Sequence, residues 1–162
     1  MAAVSRRGGT TKKTIQYHLG SDRNHTVYKA EVIGLLLATE LLRGERWARK
    51  ISMGIDNQAA ILALRVFKSG SGHYLMDCFH NALHDIRHTS NLEDLTIRWM
   101  PGHTGIAGNE IADTAAKEAA GGHSFSPELL PPALRYKDRA HVLPKSKSAQ
   151  KSHFAKRTKQ LH

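Results

Sequence analysis

One aspartate, Asp56, stands where a metal-binding or catalytic carboxylate would be useful. It follows the apolar segment ISMGI, which is predicted to be a strand, and it precedes a predicted helix. Open α/β sheets place their ligand sites just beyond the carboxyl ends of their strands, so a carboxylate here would face such a site. Asp is also a good helix N-cap, and the local sequence favours the two interpretations equally.

Two further acids, Glu31 and Asp113, can likewise be interpreted either as site residues or as ordinary helix residues. Glu31 is the only charged residue between Lys29 and Glu40 in a predicted helix, where a lone Glu usually lies on the exposed edge. Asp113 precedes Lys117 by four residues in another predicted helix, where an acid commonly stabilises the first turn and forms an i,i+4 pair. If the fold brings the three acids together, their oxygens can hold divalent cations, which prefer oxygen ligands.

The first 120 residues alternate between strand and helix patterns, in the order strand, strand, helix, strand, helix, helix, strand, helix. Period-two alternation on either side of Gly8-Gly9 predicts a β-hairpin. Apolar residues at helical spacing predict a helix from Thr26 to about Arg43, ended by Gly44. This order predicts an α/β layer fold around a mixed sheet. The strands are predicted at 2–6, 14–19, 50–55 and 95–100, and the remaining helices at 58–67, 74–88 and 109–120.

A longer motif favours the interpretation of these three acids as residues of a functional site. The segment from Trp99 to Ala120 reads WMPGHTGIAGNEIADTAAKEAA. It resembles the C-terminal signature of type 1 ribonuclease H domains, in which a strand ending in W-x-P-G-H is followed by a Gly-rich loop and then G-N-E-x-A-D-x-x-A-K. Upstream, TVYKAE around Glu31 and GIDNQAAI around Asp56 are similar to two other acidic motifs of that family. The resemblance covers about residues 3–121 and is nearest to the domain that follows reverse transcriptase in non-LTR retrotransposon polyproteins.

The resemblance implies a ribonuclease H-like mixed sheet flanked by helices, and a metal-dependent endonuclease. Glu31, Asp56 and Asp113 would be ligands of two Mg²⁺ ions, one activating the attacking water and the other stabilising the leaving 3′-oxygen of RNA. His103, on the loop after the last strand, would assist proton transfer or product release. Asn57 and Asn109 match positions that contact sugar or phosphate.

The implied substrate is an RNA–DNA hybrid, distinguished by minor-groove shape and 2′-hydroxyls rather than by sequence. Its cleavage would leave 5′-phosphate and 3′-hydroxyl ends. A plainer interpretation of His103, as a loop residue that holds its own backbone, is the weaker one within this motif.

The sequence departs from the family at the first strand. That strand normally carries an Asp, as D-G-S or D-G-A, which bridges the two metals, but this chain has no acidic residue before Asp22, which lies in a predicted turn. The opening MAAVSRR resembles the family's second strand instead. We therefore expect an N-terminally truncated sheet, weakened Mg²⁺ binding and impaired hydrolysis. Because the first strand is central in the family, we expect the hairpin to slide over, the core to fold poorly, or the product to have residues upstream of Met1.

The net charge of +10 favours a polyanionic partner such as nucleic acid. Residues 121–162 carry nine basic and two acidic residues, and residues 1–13 carry four basic residues and no acid. Residues 14–120 carry eleven basic and twelve acidic residues, so the part with the candidate site is near neutral. Nonspecific, salt-dependent affinity for nucleic acid is therefore expected mainly from the tail, residues 121–162.

Composition predicts a division of the chain into two parts. Residues 1–121 are expected to form the ribonuclease H-like domain that lacks its first strand. Residues 122–162 hold four of the five prolines, are rich in Lys and Ser, and show no sustained apolar period, so we expect a mostly disordered basic tail.

Other compositional features exclude several classes of protein. The single cysteine, Cys78, allows neither an intramolecular disulfide nor a cysteine-rich zinc site. No apolar stretch is long enough to span a bilayer, and the N-terminus lacks the apolar core of a signal peptide. We therefore expect a nuclear or cytoplasmic protein without a membrane partner.

Three alternatives stay open. A catalytically dead, nucleic-acid-binding remnant of a retrotransposon is favoured by the missing Asp and weakly opposed by the retained carboxylates and His103. Another nuclease or a transposase on the same fold, such as an integrase, rests on fold analogy alone. His80, His84 and His88 recur every four residues, a spacing that can bind zinc although it is more often a solvated stripe.

Deleting residues 123–162 is expected to flatten the salt dependence of nucleic-acid binding, because most of the excess positive charge lies there. Any metal-dependent chemistry should persist qualitatively. The measurement is the slope of the logarithm of the binding constant against the logarithm of salt concentration, for the full and the shortened chain. A slope that survives the deletion would contradict this placement of the charge.

Overall fold

The structure, a computed structural model, describes residues 1–45, 47–65, 73–101, 105–135 and 143–159. These residues alternate between strands and helices, so the predicted α/β class is confirmed. Two short 3₁₀ turns at Pro127–Leu129 and Pro132–Leu134 precede the last helix. The strands are β1 (Ala2–Arg7), β2 (Thr10–Gln16), β3 (Lys50–Ile55) and β4 (Asp94–Trp99), and the helices are α1 (Val27–Arg43), α2 (Gln58–Ala63), α3 (His73–Thr89), α4 (Ala107–Ala120) and α5 (Lys147–Lys159).

The N-terminal hairpin pairs β1 with β2 in antiparallel register, from Ala2 opposite Gln16 to Arg7 opposite Thr10. Its turn consists of Gly8 and Gly9, with φ of 57° and 79°. A two-residue hairpin turn of this kind needs positive φ at both positions, which glycine adopts without a steric penalty. β2 therefore begins at Thr10, directly after the turn. It ends at Gln16, whereas the sequence predicted a strand at 14–19.

The second strand pair is parallel. β3 lies beside β4 with Lys50 opposite Asp94 and Ile55 opposite Trp99, so both strands end at the same edge. The intervening crossover contains α2 and α3, as a parallel connection requires. Among the described residues the two pairs form separate two-stranded sheets, and no strand pairing joins β1 to β3.

Helix α1 forms the centre of the core. Thr26 caps it, its Oγ1 accepting a hydrogen bond from the Lys29 amide at 3.2 Å, so the predicted start is confirmed. Its buried side chains point in nearly every direction, as expected for an internal helix. It packs against the hairpin on one side and against α2 and α3 on another. The fully buried side chains of this core include Val32, Ile33, Leu36, Leu37, Leu75 and Phe79.

Helix α4 covers the opposite face of the hairpin. Ile15 is buried in the core beside α1, whereas the next residue, Gln16, donates its side-chain amide to the Ala115 carbonyl of α4 at 3.0 Å. Because neighbouring strand residues point to opposite faces, α1 and α4 must lie on the two sides of the hairpin. The buried Ala115 and Ala119 let α4 approach the strands closely.

The C-terminal residues differ from the predicted disorder in the part that the structure describes. Leu130, Leu134 and Leu143 are buried in the same core cluster as α1. The buried Lys29 donates its ammonium to the Pro144 carbonyl at 2.5 Å, and burial lowers the pKa of that ammonium. The short run 128–130 predicts local docking of Leu130, whereas Leu134 and Leu143 were missed because no apolar period surrounds them. Only part of the segment behaves as a solvated basic extension: α5 has one buried residue, Ala149, among its described side chains.

Within the described part of the chain, no helix is both long enough and apolar enough to cross a membrane.

Replacing Leu134 with alanine is expected to lower the free energy of unfolding by about 2–4 kcal/mol, the usual cost of a cavity at a buried leucine. Leu134 is 1% exposed, whereas Leu129, in the neighbouring 3₁₀ turn, is 55% exposed and provides a matched control. Urea denaturation of both variants measures the difference. Equal stability of Leu134→Ala and Leu129→Ala would contradict the docking of this segment on the core.

Candidate functional site: an acidic cleft between two strands

Three carboxylates that are distant in the sequence line one cavity. Glu31 lies in the second turn of α1, Asp56 directly follows β3, and Asp113 lies in the middle of α4. The cavity has a volume of about 550 Å³ and is bounded by β1 on one side and β3 on the other. The three acids predicted from sequence are therefore brought to the same cleft, which their local patterns alone did not require.

Asp56 is not the cap of the helix that follows it. The N-cap of α2 is Asn57, whose Oδ1 accepts a hydrogen bond from the Ala60 amide at 3.1 Å. The Asp56 side chain is exposed, and its backbone carbonyl accepts from the indole Nε1 of Trp99 at 3.0 Å. The helix cap is therefore Asn57 rather than Asp56, and Asp56 lines the cleft. Asn57, predicted to contact substrate, uses its side-chain oxygen for the cap.

Glu31 lies neither on an exposed helix edge nor deep in the core. It is half-buried at the cleft. Burial, followed by the nearby carboxylate of Asp56, raises the pKa of Glu31 from 4.5 to about 7, and Asp113 adds to the increase. The N-terminal ammonium opposes this by lowering the same pKa. The electrostatic influence of both aspartates on Glu31 shows that the three acids share one environment.

The amino group of Met1 is a site feature that sequence reasoning missed. It donates a hydrogen bond to the Tyr17 carbonyl at 2.8 Å, and burial lowers its pKa although the Glu31 carboxylate raises it. The ammonium therefore lies close enough to Glu31 to act as a counter-charge. No residue type in the sequence indicates this positive charge, because it belongs to the backbone amino group. Its position beside Glu31 depends on how β1 packs against α1.

Asn109 provides a donor without a partner in the described structure. It lines the cleft one turn before Asp113, and its Nδ2 is buried without a hydrogen-bond partner among the described residues. A buried unsatisfied amide is costly, so its presence in a cavity wall is consistent with a ligand that accepts a hydrogen bond. His103 lies outside the described residues, and its predicted role stays a prediction.

Basic side chains line the other parts of the cleft. Arg6 and Arg7 come from the end of β1, Lys50 from the start of β3, and Arg98 from β4. No local sequence pattern groups them, since Arg6 and Arg98 are 92 residues apart in the chain. Acidic and basic side chains therefore alternate along the cleft: Arg98 lies opposite Gly54, close to Asp56, and Arg7 forms an ion pair at 2.8 Å with Glu45, which also lines the cleft.

The donor types of the three acids fit a hard divalent cation, whose preferred ligands are carboxylate oxygens. The three acids are nevertheless too far apart to coordinate one ion. Within the described ranges, no set of three or more His, Cys, Asp or Glu side chains is close enough to hold a metal ion. The same finding covers His80, His84 and His88. His80 packs edge-on against Phe79, while the Nε2 atoms of His84 and His88 lie 3.2 Å apart on the exposed side of α3.

Comparisons with known proteins identify no relative: no protein-family model, no curated protein and no solved structure matches the chain.

Replacing Glu31 with glutamine is expected to stabilise the protein at pH 8 by about 1–2 kcal/mol and to have little effect at pH 4. The raised pKa means that the folded chain keeps a proton that the unfolded chain has lost between pH 4.5 and about 7. The contribution of Glu31 to stability therefore falls as the pH rises through this window. Urea denaturation at both pH values measures it.

The matched control is Glu110→Gln, which removes an exposed acid from the first turn of α4. This control should change the free energy of unfolding by less than about 0.5 kcal/mol at pH 8. If Glu31→Gln behaves like the control at pH 8, the carboxylates do not form one electrostatic unit.

Proposed function

We propose that the chain is a ribonuclease H-type domain, whose acidic cleft carries a weakened metal-dependent endonuclease site for RNA–DNA hybrids. The observation that carries the proposal is the meeting of Glu31, Asp56 and Asp113, from three different elements, at one end of one cleft. If each acid had only a local structural role, the three acids would not need to line the same cleft. The motif around Asp113, GNEIADTAAKEAA, supports the same assignment by resemblance.

The proposed cofactor is Mg²⁺, which when bound would supply an activated water and stabilise the leaving 3′-oxygen. Glu31, Asp56 and Asp113 would hold it. Glu31 must lose its proton to do so, and its pKa of about 7 makes that loss incomplete at neutral pH. Metal affinity should therefore increase from pH 6 to pH 8, since ligand carboxylates bind cations only when ionised.

The basic side chains of the cleft support a polyanionic substrate. Arg6 and Arg98 can contact phosphates of a strand whose scissile bond lies near the acids. Asn109 can donate its unpartnered Nδ2 to a sugar or phosphate oxygen. Helix α5 adds Lys147, Lys151 and Lys156, all exposed, without an acidic residue anywhere between 147 and 159.

A second candidate function is nucleic-acid binding without cleavage, by a remnant of a retrotransposon domain. Two observations favour it. The carboxylates do not converge to coordinating distance within the described structure. The basic helix α5 has only Ala149 buried among its described side chains. The two candidates differ in whether supplying a fourth carboxylate produces Mg²⁺-dependent cleavage.

Hybrid cleavage with Mg²⁺ is expected to be weak or undetectable for the 162-residue chain, because only three carboxylates serve two dications. Fusing a β-strand that carries one Asp in front of Met1, through a two-residue turn, is expected to increase the rate. Within the fused chain, Asp56→Asn should lower cleavage by about 100-fold or more, since it removes a metal ligand. Release of RNA fragments with 3′-hydroxyl ends measures the reaction.

The control for the loss of one acid is Asp22→Asn in the same fused chain. Asp22 lies in an exposed turn, where its carboxylate accepts a hydrogen bond from the Ser21 hydroxyl at 3.2 Å, so cleavage should be unchanged. Robust cleavage by the unfused chain that disappears in Asp56→Asn would refute the expected impairment. A folded, fused chain that binds hybrid but never cuts it would favour the remnant.

A further inference from the structure

The C-terminal end of α3 presents a pair of histidines that has no role in the acidic cleft. His84 and His88 are four residues apart in this helix, so their side chains lie on the same face. Both side chains are exposed. Ile86, which lies between them in the chain, is buried in the core cluster. The pair therefore faces solvent from a turn that is anchored to the core.

The two imidazole rings converge on their Nε2 atoms. These atoms lie 3.2 Å apart, whereas the ring centroids lie 4.4 Å apart. Imidazole nitrogens bind zinc at about 2.0–2.1 Å. A cation at that distance from both Nε2 atoms would form an N–metal–N angle of about 100–106°, close to the tetrahedral angle of about 109°. The pair therefore already has the spacing of two neighbouring ligands of one cation.

Hydrogen bonds at the end of α3 hold the backbone that carries the pair. The hydroxyl of Thr89 donates to the Asp85 carbonyl at 2.8 Å, and the hydroxyl of Ser90 donates to the Ile86 carbonyl at 2.7 Å. A fixed turn reduces the conformational entropy that is lost when two side chains bind one ion. The C-terminal end of a helix also carries partial negative charge, which favours a cation there.

The charged groups beside the pair act in both directions. The Nδ1 atom of His84 lies 3.9 Å from Oδ1 of Asp85, which is too far for a hydrogen bond but favours the tautomer with its proton on Nδ1. That tautomer leaves the lone pair of Nε2 free for a cation. The other carboxylate oxygen of Asp85 lies 4.0 Å from Arg43. Arg87, in the last turn of the helix, opposes a second positive charge and limits the affinity.

Without a cation, the two rings can share one proton in a hydrogen bond between their Nε2 atoms. A cation would replace that proton, which would move through solvent to Nδ1 of the same ring, so that both neutral rings bind through Nε2. His80, one turn earlier in α3, packs edge-on against Phe79 with ring centroids 5.7 Å apart, and it is not part of the pair. Two ligands are fewer than the four of a closed structural zinc site, so water would complete the coordination.

We propose that His84 and His88 form an open, two-histidine site for a late first-row transition-metal cation such as Zn²⁺. Cations of this class bind imidazole nitrogen well, whereas Mg²⁺ prefers oxygen ligands. The site therefore differs in chemistry from the acidic cleft, and it does not rest on the proposed nuclease function. A bound ion would cross-link the last turn of α3, directly before the connection to β4.

The test uses the full chain, freed of metals by a chelator that is then removed by dialysis. Isothermal titration calorimetry with ZnCl₂ is performed at pH 7.5 with excess Mg²⁺, which competes at oxygen sites but not at imidazoles. A binding event with one Zn²⁺ per chain is expected, with a dissociation constant on the order of 10 µM, since the pair supplies half the ligands of a structural zinc site. Long-range ¹H–¹⁵N NMR spectra should show that Zn²⁺ shifts the Nε2 resonances of His84 and His88.

Three variants distinguish this pair from the other histidines of the chain. His84→Ala and His88→Ala should each weaken the binding event by about tenfold or more, because each removes one of two protein ligands. His123→Ala, which removes an exposed histidine outside α3, should bind like the unmodified chain. Saturating Zn²⁺ should raise the unfolding temperature of the unmodified chain and of His123→Ala, but not that of the other two variants. The proposal is overturned if no saturable binding is measured, or if either α3 variant binds Zn²⁺ as tightly as His123→Ala does.

Discussion

The packing of apolar residues around helix α1 is the interaction on which the rest of the described structure depends, because both strand pairs bury residues in that one cluster. β1–β2 and β3–β4 share no hydrogen-bonded pairing. Both contribute buried residues, such as Ile15 and Met53, to the one apolar cluster around α1. The helix can serve several neighbours because it is buried around most of its circumference. Even its fully buried Thr39 is satisfied internally, with Oγ1 donating to the Leu36 carbonyl at 2.7 Å.

This arrangement explains why an acid can lie partly inside the protein. Glu31 is fixed by the packing of the same helix that holds the core, so it cannot move far from Asp56 or from the N-terminal ammonium. Desolvation and like charges oppose its ionisation, and the apolar contacts of α1 compensate for that cost. Sites whose pKa values are perturbed in this way are more common at functional positions than elsewhere.

Local sequence patterns predicted the strands and helices better than the contacts between them. The bounds of β3, the start of α1 at Thr26 and the two-glycine turn follow from short-range chemistry, and they are confirmed. The open cleft, the Met1 ammonium beside Glu31 and the grouping of Arg98 with Arg6 depend on contacts between distant segments, which no local period encodes. The motif around Asp113 indicated the three acids because it brought a whole pattern of residues, whereas each acid alone was ambiguous. Leu134 was missed because a single leucine between a Pro-Pro pair and Arg135 carries no periodic signal.

The placement of α4 on the hairpin has a consequence for how the chain folds. During synthesis Gln16 of β2 emerges 99 residues before Ala115 of α4, to which it donates a hydrogen bond. An isolated two-stranded hairpin is only marginally stable in water. Its final packing therefore waits for a contact of high sequence separation, and such contacts slow folding. The open edge of β1 stays accessible during that interval, when pairing with another nascent chain would compete with the native fold.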